Sequence, residues 1–191
     1  MFRRALFVSA ALALALAIAP GPAFASTPSP DGPLACTVGG VAVPDGAPLP
    51  EEIPTVVSCF DTVDEAEQFI EDGAPGDVEQ LQPGAGRTLM AAAATVTIGK
   101  VWTGTSRTGS VLIHWGTGTG CYGVTYGFPS LTSSWNNNVR TAEGFSNCWS
   151  SQYDGTNYTG TVLTCAPYCS TLGSMAAKTS SIVYRPKGTF G

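Results

Sequence analysis

Charged residues are scarce in this chain, and histidine is nearly absent. Only 12% of the 191 residues are charged, and His114 is the single histidine. One imidazole excludes metal sites built from several histidines, and it leaves at most one candidate for a histidine-based catalytic group. The chain also lacks the G-x-S-x-G, H-E-x-x-H and phosphate-loop motifs. These absences predict a protein that is not an enzyme and needs no cofactor.

Basic residues are outnumbered, and the charge is divided unevenly along the chain. The formal net charge is -5, which argues against nucleic acid or an anionic membrane as a partner. Residues 26–90 hold twelve acids and one base, whereas residues 91–191 hold six bases and two acids. Two interpretations stay open. The acidic piece is either a solvated arm, or a segment that lies on the basic half as a pro-segment or clamp would.

Long apolar runs are confined to the N-terminus. Two arginines precede the apolar run over residues 5–19, and an A-x-A sequence, Ala23-Phe24-Ala25, follows. This pattern is typical of a secretory signal peptide over residues 1–25, and the run is shorter than the ~20 residues of a membrane-spanning helix. We therefore expect a secreted, extracellular protein with no membrane contact after signal cleavage, and we expect a monomer.

Six cysteines follow the predicted signal peptide. An even count in an exported chain predicts three disulfides, although six cysteines permit fifteen pairings. Proximity along the chain favours Cys36–Cys59, Cys121–Cys148 and Cys165–Cys169. A zinc site is disfavoured because no C-x-x-C pair occurs and the lone histidine is remote. Each disulfide is expected to stabilise the fold by ~2–4 kcal/mol.

The two halves of the chain predict different secondary structure. Residues 26–58 are proline-rich and predict irregular backbone, with a short strand over 56–60. A capping box from Thr62 to Glu65 predicts one short helix near 62–72 that Gly73 ends, followed by a linker over 73–90. From Thr95 onward, short β-branched runs between Gly, Ser and Thr turns predict an all-β unit. The expected division is an acidic N-terminal extension, 26–90, and a β domain, 91–191.

A motif repeats within the β half. Tyr153, Tyr158 and Gly160 form the pattern aromatic-x4-aromatic-x-Gly. Fifty-one residues earlier, Trp102 and Gly109 have the same spacing, with an arginine in the second aromatic place. A polar loop follows each copy, at 135–141 and at 175–181. The repeat predicts two folded hairpins in which aromatic rings pack over a tight turn and glycine permits close backbone approach.

At these residues the sequence resembles the βγ-crystallin family, whose domains carry two such corners, each with a later Asn/Asp-rich loop. Within it, the chain is similar to small exported actinobacterial proteins grouped with the Streptomyces metalloproteinase inhibitor. Residues 59–62 and the acidic helix after them also resemble the N-terminal piece of such proteins. The resemblance covers residues 95–186 and, more loosely, 55–72. It implies an all-β sandwich of two Greek-key motifs and, for some members, inhibition of thermolysin-like metalloproteases.

The resemblance also implies where calcium would bind. One site would use the Asn137 side chain, the Asn138 carbonyl and the Ser180 hydroxyl. The second site would need Ala177 and Arg140, which offer a methyl group and a cation. Because calcium requires six to eight oxygens and gains affinity from carboxylates, we expect calcium binding to be absent or very weak.

Two functions follow from these features. The first is inhibition of an extracellular metalloprotease, whose reactive bond adjoins a half-cystine in the family's named inhibitor. The candidates here are Cys165–Ala166 and Cys121–Tyr122. The alternative is a structural or cell-wall- and glycan-binding module without inhibitory activity, which would use exposed aromatic residues: Tyr122, Tyr126, Trp149 and Tyr168. A second interpretation stays open for these residues, in which about half of them pack in the sandwich core or in the corners.

Overall fold

The computed structural model describes residues 34–81 and 94–191, so the predicted signal peptide lies outside the described residues. Within these ranges the chain forms eleven strands and two α-helices. The helices are α1 (Val63–Glu71) and α2 (Asp77–Leu81). The strands are β1 (Ala35–Gly40), β2 (Ala42–Pro44), β3 (Val57–Phe60), β4 (Thr95–Trp102), β5 (Val111–Thr117), β6 (Val124–Phe128), β7 (Thr141–Gly144), β8 (Cys148–Tyr153), β9 (Val162–Cys165), β10 (Tyr168–Cys169) and β11 (Ser181–Pro186).

The strands form two sheets that pack face to face. The first sheet has the order β10-β7-β4-β5-β1-β3, and the second has the order β2-β6-β11-β8-β9. The paired strands are antiparallel except for β1, which runs parallel to β5. The all-β class predicted from the sequence is confirmed.

Aromatic rings of the second sheet fill the space between the sheets, and glycines of the first sheet receive them. A β-carbon on Gly99 would collide with the Tyr184 ring, and one on Gly116 would collide with the Tyr126 ring. Both tyrosines are fully buried. The glycines are therefore required by close packing between the sheets rather than by a turn.

The two helices cover the outer face of the first sheet. Ala66 and Ile70 of α1 belong to the same apolar cluster as Ile113 and Trp115 of β5, whereas Leu112 belongs to the cluster between the sheets. Strand β5 is thus buried on both faces, which is typical of a strand under a helical layer.

The predicted helix near 62–72 is confirmed by α1 and by its N-terminal cap. The Glu65 N–H donates to the Thr62 hydroxyl at 3.2 Å, and the Thr62 N–H donates to the Glu65 carboxylate at 3.1 Å. The helix ends at Glu71, and Gly73 follows with a φ of 92°. Local chemistry therefore sets this element.

Two expectations for the N-terminal half are wrong within the described residues. The irregular backbone expected over 26–58 is strand at 35–40 and at 42–44, because β1 pairs with both β5 and β3, and β2 pairs with β6. The linker expected over 73–90 contains α2 at 77–81. Val78 and Leu81 of α2 pack in the outer cluster.

Of the two interpretations of the acidic piece, packing onto the basic half agrees with the structure, and Glu67 of α1 forms an ion pair with Lys100 of β4.

The cysteines form three disulfides, in the pairing that proximity favours. Cys36–Cys59 joins β1 to β3, and Cys121–Cys148 joins the segment after β5 to β8. Cys165–Cys169 joins β9 of the second sheet to β10 of the first. Three disulfides indicate an oxidising compartment. Neither described helix is long and apolar enough to cross a membrane.

Candidate functional site

The two predicted corners have matching backbone hydrogen bonds. In the first corner, the Gly104 N–H donates to the Thr108 carbonyl at 2.8 Å. At the equivalent place in the second, the Gly155 N–H donates to the Thr159 carbonyl at 3.0 Å. Positive φ angles also recur, at Arg107 (63°) in the first corner and at the equivalent residue of the second. The hairpins are the same structure built twice.

Each corner is also tied to its own polar loop. The Thr141 hydroxyl donates to the Gly104 carbonyl at 2.7 Å, and the Ser181 hydroxyl donates to the Gly155 carbonyl at 2.6 Å. Each half of the domain therefore has a corner, then a polar loop, and a hydroxyl of that loop that donates to the corner.

The domain is a βγ-crystallin-like sandwich. Among solved structures, the N-terminal domain of protein S is similar at 13% identity and a TM-score of 0.38, and the match covers 47% of this chain and 96% of that one. A βγ-crystallin domain from Flavobacterium johnsoniae is similar at 16% identity and a TM-score of 0.37, with 49% and 99% covered. No protein-family model and no curated protein matches the chain. The two-motif architecture rests on the chain's own hydrogen bonds.

The second aromatic place of the corner motif holds a different type of residue in each half of the domain. Tyr158 packs edge to face against Tyr153 with 6.3 Å between ring centroids. Arg107 instead lies 4.0 Å from the ring centroid of Tyr168, and two of its nitrogens donate to Glu143 at 2.7 Å. The guanidinium therefore replaces an aromatic ring by stacking on one supplied from β10.

The two polar loops, in which the resemblance implies a calcium site, pair with each other. The Asn137 N–H donates to the Thr179 carbonyl at 2.9 Å, and the Ala177 N–H donates to the Val139 carbonyl at 2.7 Å. The Ser180 hydroxyl donates to Asn137 Oδ1 at 3.5 Å. The structure thus brings Asn137 and Ser180 together, as the resemblance implies.

Arg140 donates hydrogen bonds to oxygens that a cation would need as ligands. Its Nη1 donates to the Thr103 carbonyl at 2.8 Å, to Asn138 Oδ1 at 3.0 Å and to the Asn138 carbonyl at 3.3 Å. The remaining oxygens of the first site are neutral, and no cluster of three or more His, Cys, Asp or Glu side chains occurs in the described residues. These residues do not fit calcium, because a fixed positive charge already binds one of the expected ligands.

We expect calcium to leave the stability of the protein unchanged, and Arg140→Ser to lower it by ~1–3 kcal/mol. The loss follows from leaving partly buried carbonyl oxygens without a donor. Urea unfolding with calcium or with a chelator measures both effects. Lys178→Ser, which removes an exposed lysine from the neighbouring loop, is the matched control and should change little. A calcium-dependent shift in the unmodified protein would contradict this account.

Both predicted reactive-bond loops lie at one surface. A cleft of about 320 Å³ is lined by Tyr122 of one loop and by Pro167 of the other, and Trp149 of β8 also lines it. Tyr122 is 65% exposed although the preceding Cys121 is buried. Ala166 and Pro167 are also exposed, next to a buried Cys165. We call this surface, formed by loops 117–123 and 165–169, the two-loop face.

The β7–β8 turn holds both loops in place. The Cys121 N–H donates to the Ser146 carbonyl at 3.0 Å, and Asn147 Nδ2 donates to the Cys121 carbonyl at 3.0 Å. The Gly144 N–H donates to the Pro167 carbonyl at 2.9 Å. Both loops are therefore anchored by main-chain contacts in addition to their disulfides, which restricts their conformations before any partner binds.

The aromatic residues expected at the surface separate into three environments. Tyr126 is fully buried and its hydroxyl donates to the Thr117 carbonyl at 3.0 Å, so the prediction that it is exposed is wrong. The Tyr168 ring stacks against the Arg107 guanidinium. Tyr122 and Trp149 line the cleft. The alternation in β6 places Tyr126 and Phe128 on the same inward face, and that signal could have identified Tyr126 as a core residue.

Sequence reasoning missed Phe190 and Lys187 as members of this surface. Phe190 is 70% exposed, and its ring packs against Trp149 with 5.2 Å between centroids. Lys187 lines the cleft. Both follow the last strand, where no local pattern relates them to residues that are forty positions earlier in the chain.

Proposed function

We propose that the protein is a secreted inhibitor of an extracellular metalloprotease and that loop 165–169 is inserted into the protease. The observation that carries this proposal is a disulfide-closed loop with exposed Ala166 and Pro167 whose ends belong to different sheets. An inhibitor that imitates a substrate needs an accessible main chain that does not relax after it binds. A loop that is already ordered loses little conformational entropy on binding.

Loop 165–169 meets this requirement better than loop 117–123 does. Its disulfide joins residues only four positions apart, compared with 27 for Cys121–Cys148. The small Ala166 side chain leaves the Cys165–Ala166 peptide accessible, and the Pro167 carbonyl is fixed by Gly144. Hydrolysis of that peptide would leave both new ends joined through the disulfide. The product would keep the geometry needed for resynthesis of the bond.

Titration of thermolysin with oxidised protein comprising residues 26–191 tests the proposal. We expect inhibition that approaches one inhibitor per enzyme, and we expect Ala166→Asp to abolish it by placing a charge beside the reactive bond. Thr171→Asp, at another exposed position just after the loop, is the matched control and should still inhibit. If Tyr122→Asp abolishes inhibition and Ala166→Asp does not, the reactive bond is Cys121–Tyr122. A folded protein that leaves thermolysin fully active would contradict inhibition of thermolysin-like enzymes.

A further inference from the structure

We propose that the cleft beneath Tyr122 is a binding site for an acidic saccharide, in which a sugar ring stacks on Trp149 and a carboxylate of the sugar pairs with Lys187. The proposal does not depend on protease inhibition, because it concerns the cleft residues Trp149 and Lys187 rather than the peptide at Cys165–Ala166. It rests on aromatic exposure, on charge and on the rigidity of the cleft.

The aromatic composition of the cleft is the first argument. The chain has four tryptophans, and Trp102, Trp115 and Trp135 are buried in the two cores. Trp149 alone is partly exposed, and it lines the cleft with Tyr122 and Phe145. The exposed Phe190 ring extends this surface. A cluster of exposed rings on a protein with large buried cores marks a binding surface, and the carbon–hydrogen faces of a sugar ring suit flat aromatic platforms.

Polar groups beside the rings provide the second argument. Asn147 has a φ of 65°, its Nδ2 donates to the Cys121 carbonyl, and its own carbonyl accepts the Lys187 N–H at 2.9 Å. These contacts fix the amide plane at the edge of the cleft. Within the described residues, no donor bonds to Asn147 Oδ1, so this oxygen can accept a hydrogen bond from a sugar hydroxyl. A mostly apolar pocket with a few fixed polar groups is typical of small-molecule sites.

Charge selects an acidic sugar over a neutral one. Lys187 is exposed and lines the cleft, and none of the other lining residues is acidic. Within the described residues the ion pairs are formed by Lys100 and Arg107, so Lys187 has no carboxylate partner there. The domain from residue 94 onward has only two acidic side chains, Glu143 and Asp154. A ligand carboxylate is therefore the partner that this lysine lacks.

Size and rigidity define the ligand further. The volume of about 320 Å³ is near the lower end of the ~300–1,000 Å³ found for small-ligand pockets, which suits one or two sugar rings. The Cys121–Cys148 disulfide joins the residue before Tyr122 to the residue before Trp149, and both of these aromatic residues line the cleft. A β-carbon on Gly144 would collide with the Cys148 carbonyl, so the turn that carries Phe145 and Asn147 is tightly packed. The cleft is formed before the ligand arrives.

Two disaccharides that differ by one lactyl ether group, which carries the carboxylate, test the proposal. Calorimetric titration would use N-acetylglucosaminyl-N-acetylmuramic acid and N,N′-diacetylchitobiose (chitobiose below), with the fluorescence of the partly exposed Trp149 as a second readout. We expect the acidic sugar to bind about tenfold more tightly than chitobiose, a difference of ~1.4 kcal/mol. Lys187→Gln should remove this preference and keep the weak binding of chitobiose. Trp149→Ala should abolish binding of both sugars, and Trp149→Phe should retain it.

The controls separate the cleft from general charge and from the reactive loop. Lys178→Gln removes another exposed lysine on a different loop and should leave both affinities unchanged, as should Thr171→Asp, which also keeps inhibition. Lys187→Gln changes an exposed side chain, so it tests the site even if Trp149→Ala does not fold. The proposal is overturned if neither sugar binds, if both bind equally to the unmodified protein, or if Lys178→Gln has the same effect as Lys187→Gln.

Discussion

A chain that begins at residue 91 is expected to remain unfolded under conditions in which residues 26–191 are folded. Strand β1 lies between β5 and β3 and pairs with β5 from Ala35↔Val111 to Gly40↔Gly116. Without residues 26–90, the central strand of the first sheet becomes an edge. The helices that cover Ile113 and Trp115 are removed as well. Each large apolar side chain returned to water costs ~1.5–3 kcal/mol, so the loss approaches the ~5–15 kcal/mol of a whole domain.

Near-ultraviolet circular dichroism and thermal unfolding of the two oxidised chains measure this effect. No disulfide joins the two halves, since Cys36 pairs with Cys59 and the other four cysteines pair within residues 121–169. Addition of a separate 26–90 fragment to the short chain should therefore restore the folded signal through packing alone. A cooperative unfolding transition in the short chain by itself would contradict the expectation. It would also favour a removable pro-segment as the role of residues 26–90.

The features that the sequence predicted correctly depend on residues close together in the chain. The capping box at Thr62 and Glu65 acts within one helical turn, so the residue types alone indicate where α1 begins. The corner at 153–160 is similarly local, because the ring contact and the glycine that permits it lie within eight residues. The 51-residue repeat then identified the second copy even though an arginine replaces one ring.

The features that were missed depend on distant partners. Strand β1 has the sequence Ala-Cys-Thr-Val-Gly-Gly, which has neither a helical nor an alternating pattern, because both of its faces are buried. Its strand conformation comes from pairing with β5, more than seventy residues away. The cleft combines Tyr122, the β7–β8 turn and Lys187, which the sandwich topology brings together. Each of the two reactive-bond candidates is recognisable from a half-cystine, but their shared position on the two-loop face follows only from the fold.

Acid is expected to destabilise the protein through His114, by ~1.4 kcal/mol for each pH unit below 6.5. This imidazole is fully buried between the sheets, where its Nδ1 lies 3.0 Å from the Tyr184 hydroxyl and its ring packs edge to face against Phe128. Desolvation lowers the pKa of His114 from 6.5 to about 3. Between these values the unfolded chain binds a proton that the folded chain does not bind. Protonation of His114 therefore does not affect the free energy of unfolding above pH 6.5, and it lowers this free energy as the pH decreases from 6.5 towards 3.

Urea unfolding at a series of pH values between 7 and 4 measures the slope, and His114→Gln is the variant that should remove it. The substitution leaves no histidine in the chain. Burial raises the pKa of Asp77, whose carboxylate accepts the Ser58 hydroxyl at 2.9 Å, and this acts in the opposite direction. Because folded Asp77 takes up a proton more readily, its contribution favours folding as the pH falls and is lost as the pH rises. The free energy of unfolding of His114→Gln should thus stay constant, or rise slightly, as the pH falls from 7 to 4. If the variant keeps the slope of the unmodified protein, His114 does not cause the acid sensitivity.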